Sequence, residues 1–105
     1  MVDKFNRLVI GMDLIEESIY LHKKQEVNLF FDHEKLRLLI MPSETKSVKG
    51  FYRVGKKYNI DEEYRISVPK TLRDVFPNST YLPVEQDGKI YILIINHALN
   101  SKKPE

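Results

Sequence analysis

Arg65-Ile66-Ser67-Val68-Pro69-Lys70-Thr71-Leu72-Arg73-Asp74-Val75-Phe76 is the stretch on which the fold turns. From Tyr64 to Val68 polar and apolar side chains alternate, the period of a strand with one buried face. Pro69 has no N–H to donate, which costs nothing in the first turn of a helix, so it marks a helix start. Leu72, Val75 and Phe76 then fall at i, i+3, i+4 and predict one apolar helix face over two turns. Pro77-Asn78 ends that helix. Further on, Tyr81–Glu85 and Lys89–Ile95 flank Asp87-Gly88, a pair suited to a tight hairpin because both residues tolerate positive φ. Ile90, Ile92 and Ile94 share one strand face, while Leu93 and Ile95 on the other predict cover on both sides. Pro83 confines the first hairpin strand to a sheet edge or a bulge.

The N-terminal half repeats this order. Asn6–Leu14 aligns with Tyr64–Leu72 at an offset of 58, and a second hairpin, Val27–Phe31 and Lys35–Ile40 around Asp32-His33-Glu34, matches the C-terminal one at an offset of 54. Four extra residues sit in the first copy near His22-Lys23-Lys24-Gln25. Each copy reads as strand, short helix, strand, turn, strand. The predicted division is copy one at 1–42, a polar linker at 43–48, copy two at 49–96 and a frayed tail at 97–105. A unit of roughly 45 residues buries too little surface to stand alone without disulfides or metals. The copies should therefore complete each other's sheets, making a single domain that is mainly β with short helices: a pseudo-symmetric β-barrel whose closure removes exposed strand edges.

The chain of 105 residues is 42% apolar and 30% charged, which excludes a wholly disordered polymer and fits one domain. No apolar run approaches the roughly 20 residues needed to span a bilayer, and the N-terminus lacks the apolar centre of a secretory signal. With no cysteine, disulfides and thiolate chemistry are excluded and a cytoplasmic location is expected. The net charge of +2 hides an asymmetry: residues 1–44 hold six basic and eight acidic side chains, residues 45–105 eleven and seven. Within 46–74 eight cations face four carboxylates, which suggests a surface that meets a polyanion.

The segment Arg65–Phe76 resembles the core motif of AbrB-like (SpoVT/AbrB) domains: Arg, alternating apolar residues, Pro, then a short helix with Leu-Arg. Val2–Ile10 resembles the same region in the first copy, and Tyr81–Ile94 with its Asp87-Gly88 turn resembles the hairpin that closes that family's repeat. The resemblance implies a swapped-hairpin β-barrel that binds DNA, with both copies in one chain as in MraZ-like proteins. It also implies DNA contacts from Arg53 on an upstream strand, Arg65 at the strand start, Arg73 on the helix, and Arg7 in the first copy. The departures are specific. Gly11 replaces the motif proline, the first helix is acidic (Met12-Asp13-Leu14-Ile15-Glu16-Glu17), and Asp61-Glu62-Glu63 is inserted between Arg53 and Arg65.

Lys46, Lys49, Arg53, Lys56 and Lys57 are interleaved with Phe51, Tyr52 and Tyr58; with Lys70 these cations are candidates for phosphate contact. The plainer reading turns the aromatics inward and leaves the cations solvated, with Arg65 and Arg73 paired to Glu62, Glu63 or Asp74. His22, His33 and His97 make no metal-ligand spacing, and no phosphate loop or nucleophile motif occurs, so neither an enzyme nor a cofactor is expected. The sequence thus points to a sequence-preferring regulator of transcription that binds double-stranded DNA through Arg7, Arg53, Lys56, Lys57, Arg65, Lys70 and Arg73, with a homodimer as a natural assembly. The alternative is a barrel that has lost DNA binding and takes a protein partner through the acidic first-copy helix.

Overall fold

A computed structural model describes residues 6–96. The predicted tail at 97–105, His97 and the first four residues of the Val2–Ile10 match lie outside them. The chain runs β1 (Arg7–Val9), α1 (Met12–Glu17), β2 (Glu26–Asp32), β3 (Arg37–Pro42), β4 (Tyr52–Asn59), β5 (Arg65–Ser67), α2 (Lys70–Val75), β6 (Ser79–Gln86) and β7 (Lys89–Asn96). It is mainly β, with two short helices. The strands form two antiparallel sheets, a β1-β5 ribbon and a five-stranded sheet in the order β4-β2-β3-β7-β6.

Strand alternation places the core. Val27 and Leu29, Leu38 and Ile40, and Ile90, Ile92 and Ile94 line one face of the large sheet. Leu8 and Ile66 from the ribbon, Ile15 from α1 and Leu72 from α2 close over them, all buried. Full burial of each such side chain contributes about 1.5–3 kcal/mol. In the ribbon Leu8 stands opposite Ile66; in the large sheet β3 and β7 meet with Leu38 opposite Ile92. The ribbon is extended at both ends by backbone hydrogen bonds, Ile10 N–H to the Tyr64 carbonyl (2.8 Å) and Val68 N–H to the Asn6 carbonyl (2.9 Å).

Both hairpins form. β6 and β7 close at Gln86 opposite Lys89, with Asp87 at φ 54° and Gly88 at φ 79°, the signs of a type I′ turn. Ile19 donates its N–H to the Gly88 carbonyl (3.0 Å) and packs its side chain so closely on Gly88 that a Cβ there would meet it at 3.0–3.2 Å. β6 is a sheet edge, as Pro83 requires. The β2–β3 turn is longer than expected: it covers His33–Leu36, because Leu36 sits at φ 49° and β3 begins only at Arg37. Asp32 braces it, accepting the Glu34 N–H (3.1 Å) on Oδ1 and Arg37 Nε–H (3.2 Å) on Oδ2. Burial works to raise the Asp32 pKa, but the N–H groups of Lys35 and Glu34 and the Arg37 guanidinium outweigh it and hold the carboxyl below its ordinary value.

Helix α2 departs from the predicted face. Leu72 is buried and Phe76 packs beside Phe31 with ring centroids 6.1 Å apart, but Val75 is 59% exposed. The helix ends at Val75, and Phe76 leaves helical geometry (φ −123°, ψ 68°), so the apolar face has no second turn on which to continue.

β4 joins the sheet beyond β2 through a pronounced bulge. Val27 faces Tyr58 and Leu29 faces Val54, so Asn28 alone opposes Gly55, Lys56 and Lys57. Gly55 turns at φ +67°, and a side chain there would collide with the Tyr58 ring. The 43–51 segment is tied back to Asn28, whose Nδ2 donates to the Ser43 (3.2 Å) and Thr45 (2.9 Å) carbonyls.

Candidate nucleic-acid interface

Three-residue strands leave little choice of facing. In β1 and β5 the middle residues, Leu8 and Ile66, are buried, so Arg7, Val9, Arg65 and Ser67 share the outer surface of the ribbon. Arg7 is opposite Ser67 and Arg65 opposite Val9, which sets the two arginines at diagonal corners. Both are half-buried. Arg65 is clamped: its Nε donates to Asp61 Oδ2 at 2.8 Å and its terminal nitrogen lies 3.6 Å from Glu63. Asp61 Oδ1 also accepts the N–H of Arg65 and of Glu63, each at 2.9 Å. Partial burial raises the Asp61 pKa, yet these N–H donors and the Arg65 guanidinium prevail and hold it below the ordinary carboxylate value. Of the acids considered as Arg65 partners, Glu63 is in place; Glu62 instead pairs with Lys24 at 2.7 Å.

β4 lies against β5 and carries the second group. Arg53, opposite Phe30, is exposed, as are Lys56 and Lys57 in the bulge. Lys57 has Glu26 at 3.8 Å, both about half exposed, a pair worth little in water. Among the described residues neither Arg53 nor Lys56 has an ion-pair partner. A bulge and lysines also protect an edge strand from pairing with other chains, so part of this charge has a structural use.

On α2, Lys70 and Asp74 pair at 2.7 Å in the exposed i, i+4 arrangement, worth a few tenths of a kcal/mol. Arg73 does not pair with Asp74. Its Nε donates to the Val68 carbonyl (3.2 Å), which folds it back over the start of its own helix. Arg73 also lies in the neighbourhood of Tyr81, whose buried hydroxyl has no hydrogen-bond partner among the described residues. Burial raises the Tyr81 pKa and the Arg73 charge opposes that rise. Asp13, Glu16 and Glu17 of α1 stand in solvent, beside Met12 at 50% exposure. No group of three or more potential metal ligands occurs among the described residues.

The ribbon and α2 thus hold Arg7, Arg65, Lys70 and Arg73, and the adjoining β4 holds Arg53, Lys56 and Lys57. Sequence reading missed Asp61 as the clamp of Arg65, although its position four residues upstream was a usable signal. No family model matches the chain, and neither does any curated protein or solved structure. Among the described residues no helix is long and apolar enough to cross a membrane.

Proposed function

We propose that this chain is a small sequence-preferring regulator that binds double-stranded DNA, built from two degenerate AbrB-like copies that complete one swapped-hairpin β-barrel. The observation that carries the reading is the register. Leu8 and Ile66 are equivalent under the offset of 58, and Leu38 and Ile92 under the offset of 54; each pair stands directly opposite itself across a sheet. Strands that pair at equivalent residues are what a local two-fold axis produces. The reciprocal bonds from Ile10 to Tyr64 and from Val68 to Asn6 obey the same offset. So do four of the six non-glycine residues with positive φ: Asn6 (φ 62°) matches Tyr64 (φ 60°), and Lys24 (φ 62°) matches Asn78 (φ 60°). Positive φ is uncommon outside glycine, so its recurrence at matched places supports true duplication.

In this reading Arg53 and Lys56 contact phosphates, Arg7 and Arg65 present their outer edges to the groove, and regulation is steric occupation of operator DNA. Two chains associating as a homodimer would offer two such surfaces. The test is fluorescence anisotropy with random double-stranded DNA at about 50 and 200 mM salt. Micromolar or tighter binding that weakens steeply with salt is expected; absence of binding at the lower salt overturns the proposal.

One observation favours a second reading, a barrel that serves as a protein-interaction module. Arg65, Lys70 and Lys57 already face carboxylates, while α1 leaves Asp13, Glu16 and Glu17 in solvent next to an exposed Met12. Under this reading Glu16→Lys with Glu17→Lys abolishes a protein complex. Under DNA binding the same change leaves affinity unchanged or raises it.

A further inference from the structure

Where the β2–β3 turn meets the start of β4, His33, Glu34, Gly50, Phe51 and Tyr52 line a cleft of about 350 Å³. Its aromatic wall is held in place from behind. The Arg37 guanidinium lies 5.5 Å from the Phe51 ring and 4.5 Å from the Tyr91 ring, and Asp32 grips it at 3.2 Å. In front, Tyr52 is 63% exposed and its ring sits 5.7 Å from that of His33, tilted 41° to it. Two lysines adjoin the lining in the chain: Lys35 follows Glu34 and Lys49 precedes Gly50, each exposed and, among the described residues, without an ion pair.

We propose that this cleft seats an unpaired nucleobase, stacked on Tyr52, with its phosphates toward Lys35 and Lys49. The inference rests on the DNA-binding reading and narrows it to nucleic acid with a base out of the helical stack. The chemistry selects that ligand. An aromatic wall alone would equally take a cation, but the two exposed lysines next to the lining outnumber its one carboxylate, Glu34, and disfavour one. A flat apolar ring carrying an anion meets both features, since stacking needs an open π-face and phosphate needs unpaired cations. Bases within a paired duplex have both faces covered by neighbours, so only an extrahelical or single-stranded base reaches the cleft. Glu34 is the one carboxylate in the lining and accepts a hydrogen bond from an exocyclic amino group, which adenine has and thymine lacks.

The test compares a short fluorescein-labelled deoxyadenylate strand, a fully paired duplex, and that duplex with one extrahelical adenine, using the whole chain and its Tyr52→Ala and Tyr52→Phe variants. The alanine variant should bind the single strand and the extrahelical adenine roughly 5- to 150-fold more weakly, with duplex affinity unchanged. The phenylalanine variant should keep the affinity. In parallel, adenosine monophosphate should shift the ring resonances of Tyr52 and His33. Equal binding of all three DNAs by wild type and Tyr52→Ala overturns the site, and so do ring resonances unmoved at about 10 mM nucleotide. Failure of the DNA reading looks different: no DNA bound by any variant while the mononucleotide still shifts both rings.

Discussion

Replacing Arg53 and Lys56 together with alanine isolates the cations that the fold leaves unengaged. Both side chains are exposed on β4 and, among the described residues, neither has an ion-pair partner. Their loss should therefore change folding stability by no more than about 0.5 kcal/mol. The effect on DNA is separable because it depends on salt. Each phosphate contact adds about 0.9 to the slope of log affinity against log salt, so a fourfold rise in salt costs about 3.5-fold in affinity per contact. Removing two contacts should lower the slope by about 1.8 and shrink the loss between about 50 and 200 mM salt by about 12-fold. Anisotropy titrations at four salt concentrations, with thermal unfolding of both proteins as the control, measure this directly. An unchanged slope in a folded double variant refutes the assignment of β4 as the phosphate-contacting strand.

Other perturbations test the physics of the fold. Leu8→Ala empties the centre of the ribbon at a fully buried position and should destabilise the protein by about 2–5 kcal/mol in urea unfolding. Gly88→Ala forces a Cβ onto a residue at φ 79° and against Ile19, and should cost at least about 1–2 kcal/mol, read as a lower melting temperature. For Asp61 the sign follows from its lowered pKa: above the unfolded value of about 3.9 the clamp contributes its full stability, which is lost as pH falls through the lower folded value. Asp61→Asn should therefore be less stable at neutral pH and show a flatter acid limb, with the two urea midpoints converging below about pH 4; parallel curves would refute the clamp.

The parts of this fold that were legible in the sequence are those fixed by local rules. Asp87-Gly88 specified its own turn, Pro83 specified an edge, and the alternation of Ile90, Ile92 and Ile94 specified a buried face. β4 was not legible from periodicity, because three residues of β4 oppose one of β2 and the bulge breaks the period of two. Its burial follows no alternation that a reader of the sequence could use. Alternation draws Leu36 into β3 for a related reason: a leucine gives no warning of positive φ, and the turn that Asp32 braces runs on through it. The cations were legible as a cluster, but their pairing was not. Whether Arg65 meets Asp61, Glu62 or Glu63 depends on a turn in which Asp61 accepts two backbone N–H groups, and composition does not encode that geometry.

Pairing redistributes the charge that the sequence displays as one basic stretch. Of the eight cations between residues 46 and 73, Arg65, Lys70 and Lys57 stand beside carboxylates and Arg73 is turned onto a carbonyl. Lys46, Lys49, Arg53 and Lys56 remain, all exposed, on the 43–51 segment and the first part of β4. Field from unpaired charges adds, whereas a close ion pair is a dipole whose field decays faster and is screened sooner. Among the described residues the unpaired positive charge of this stretch therefore belongs to the β4 side more than to the ribbon. On the two-copy reading that matters for how DNA is met. The ribbon is the shared centre of both copies, but β4 has no counterpart among the described residues, and α1, the partner of α2, is acidic. Under the proposed function a single chain would grip DNA from one side only. Contacting two half-sites would then take two chains, with the β4 edges of both facing the same duplex.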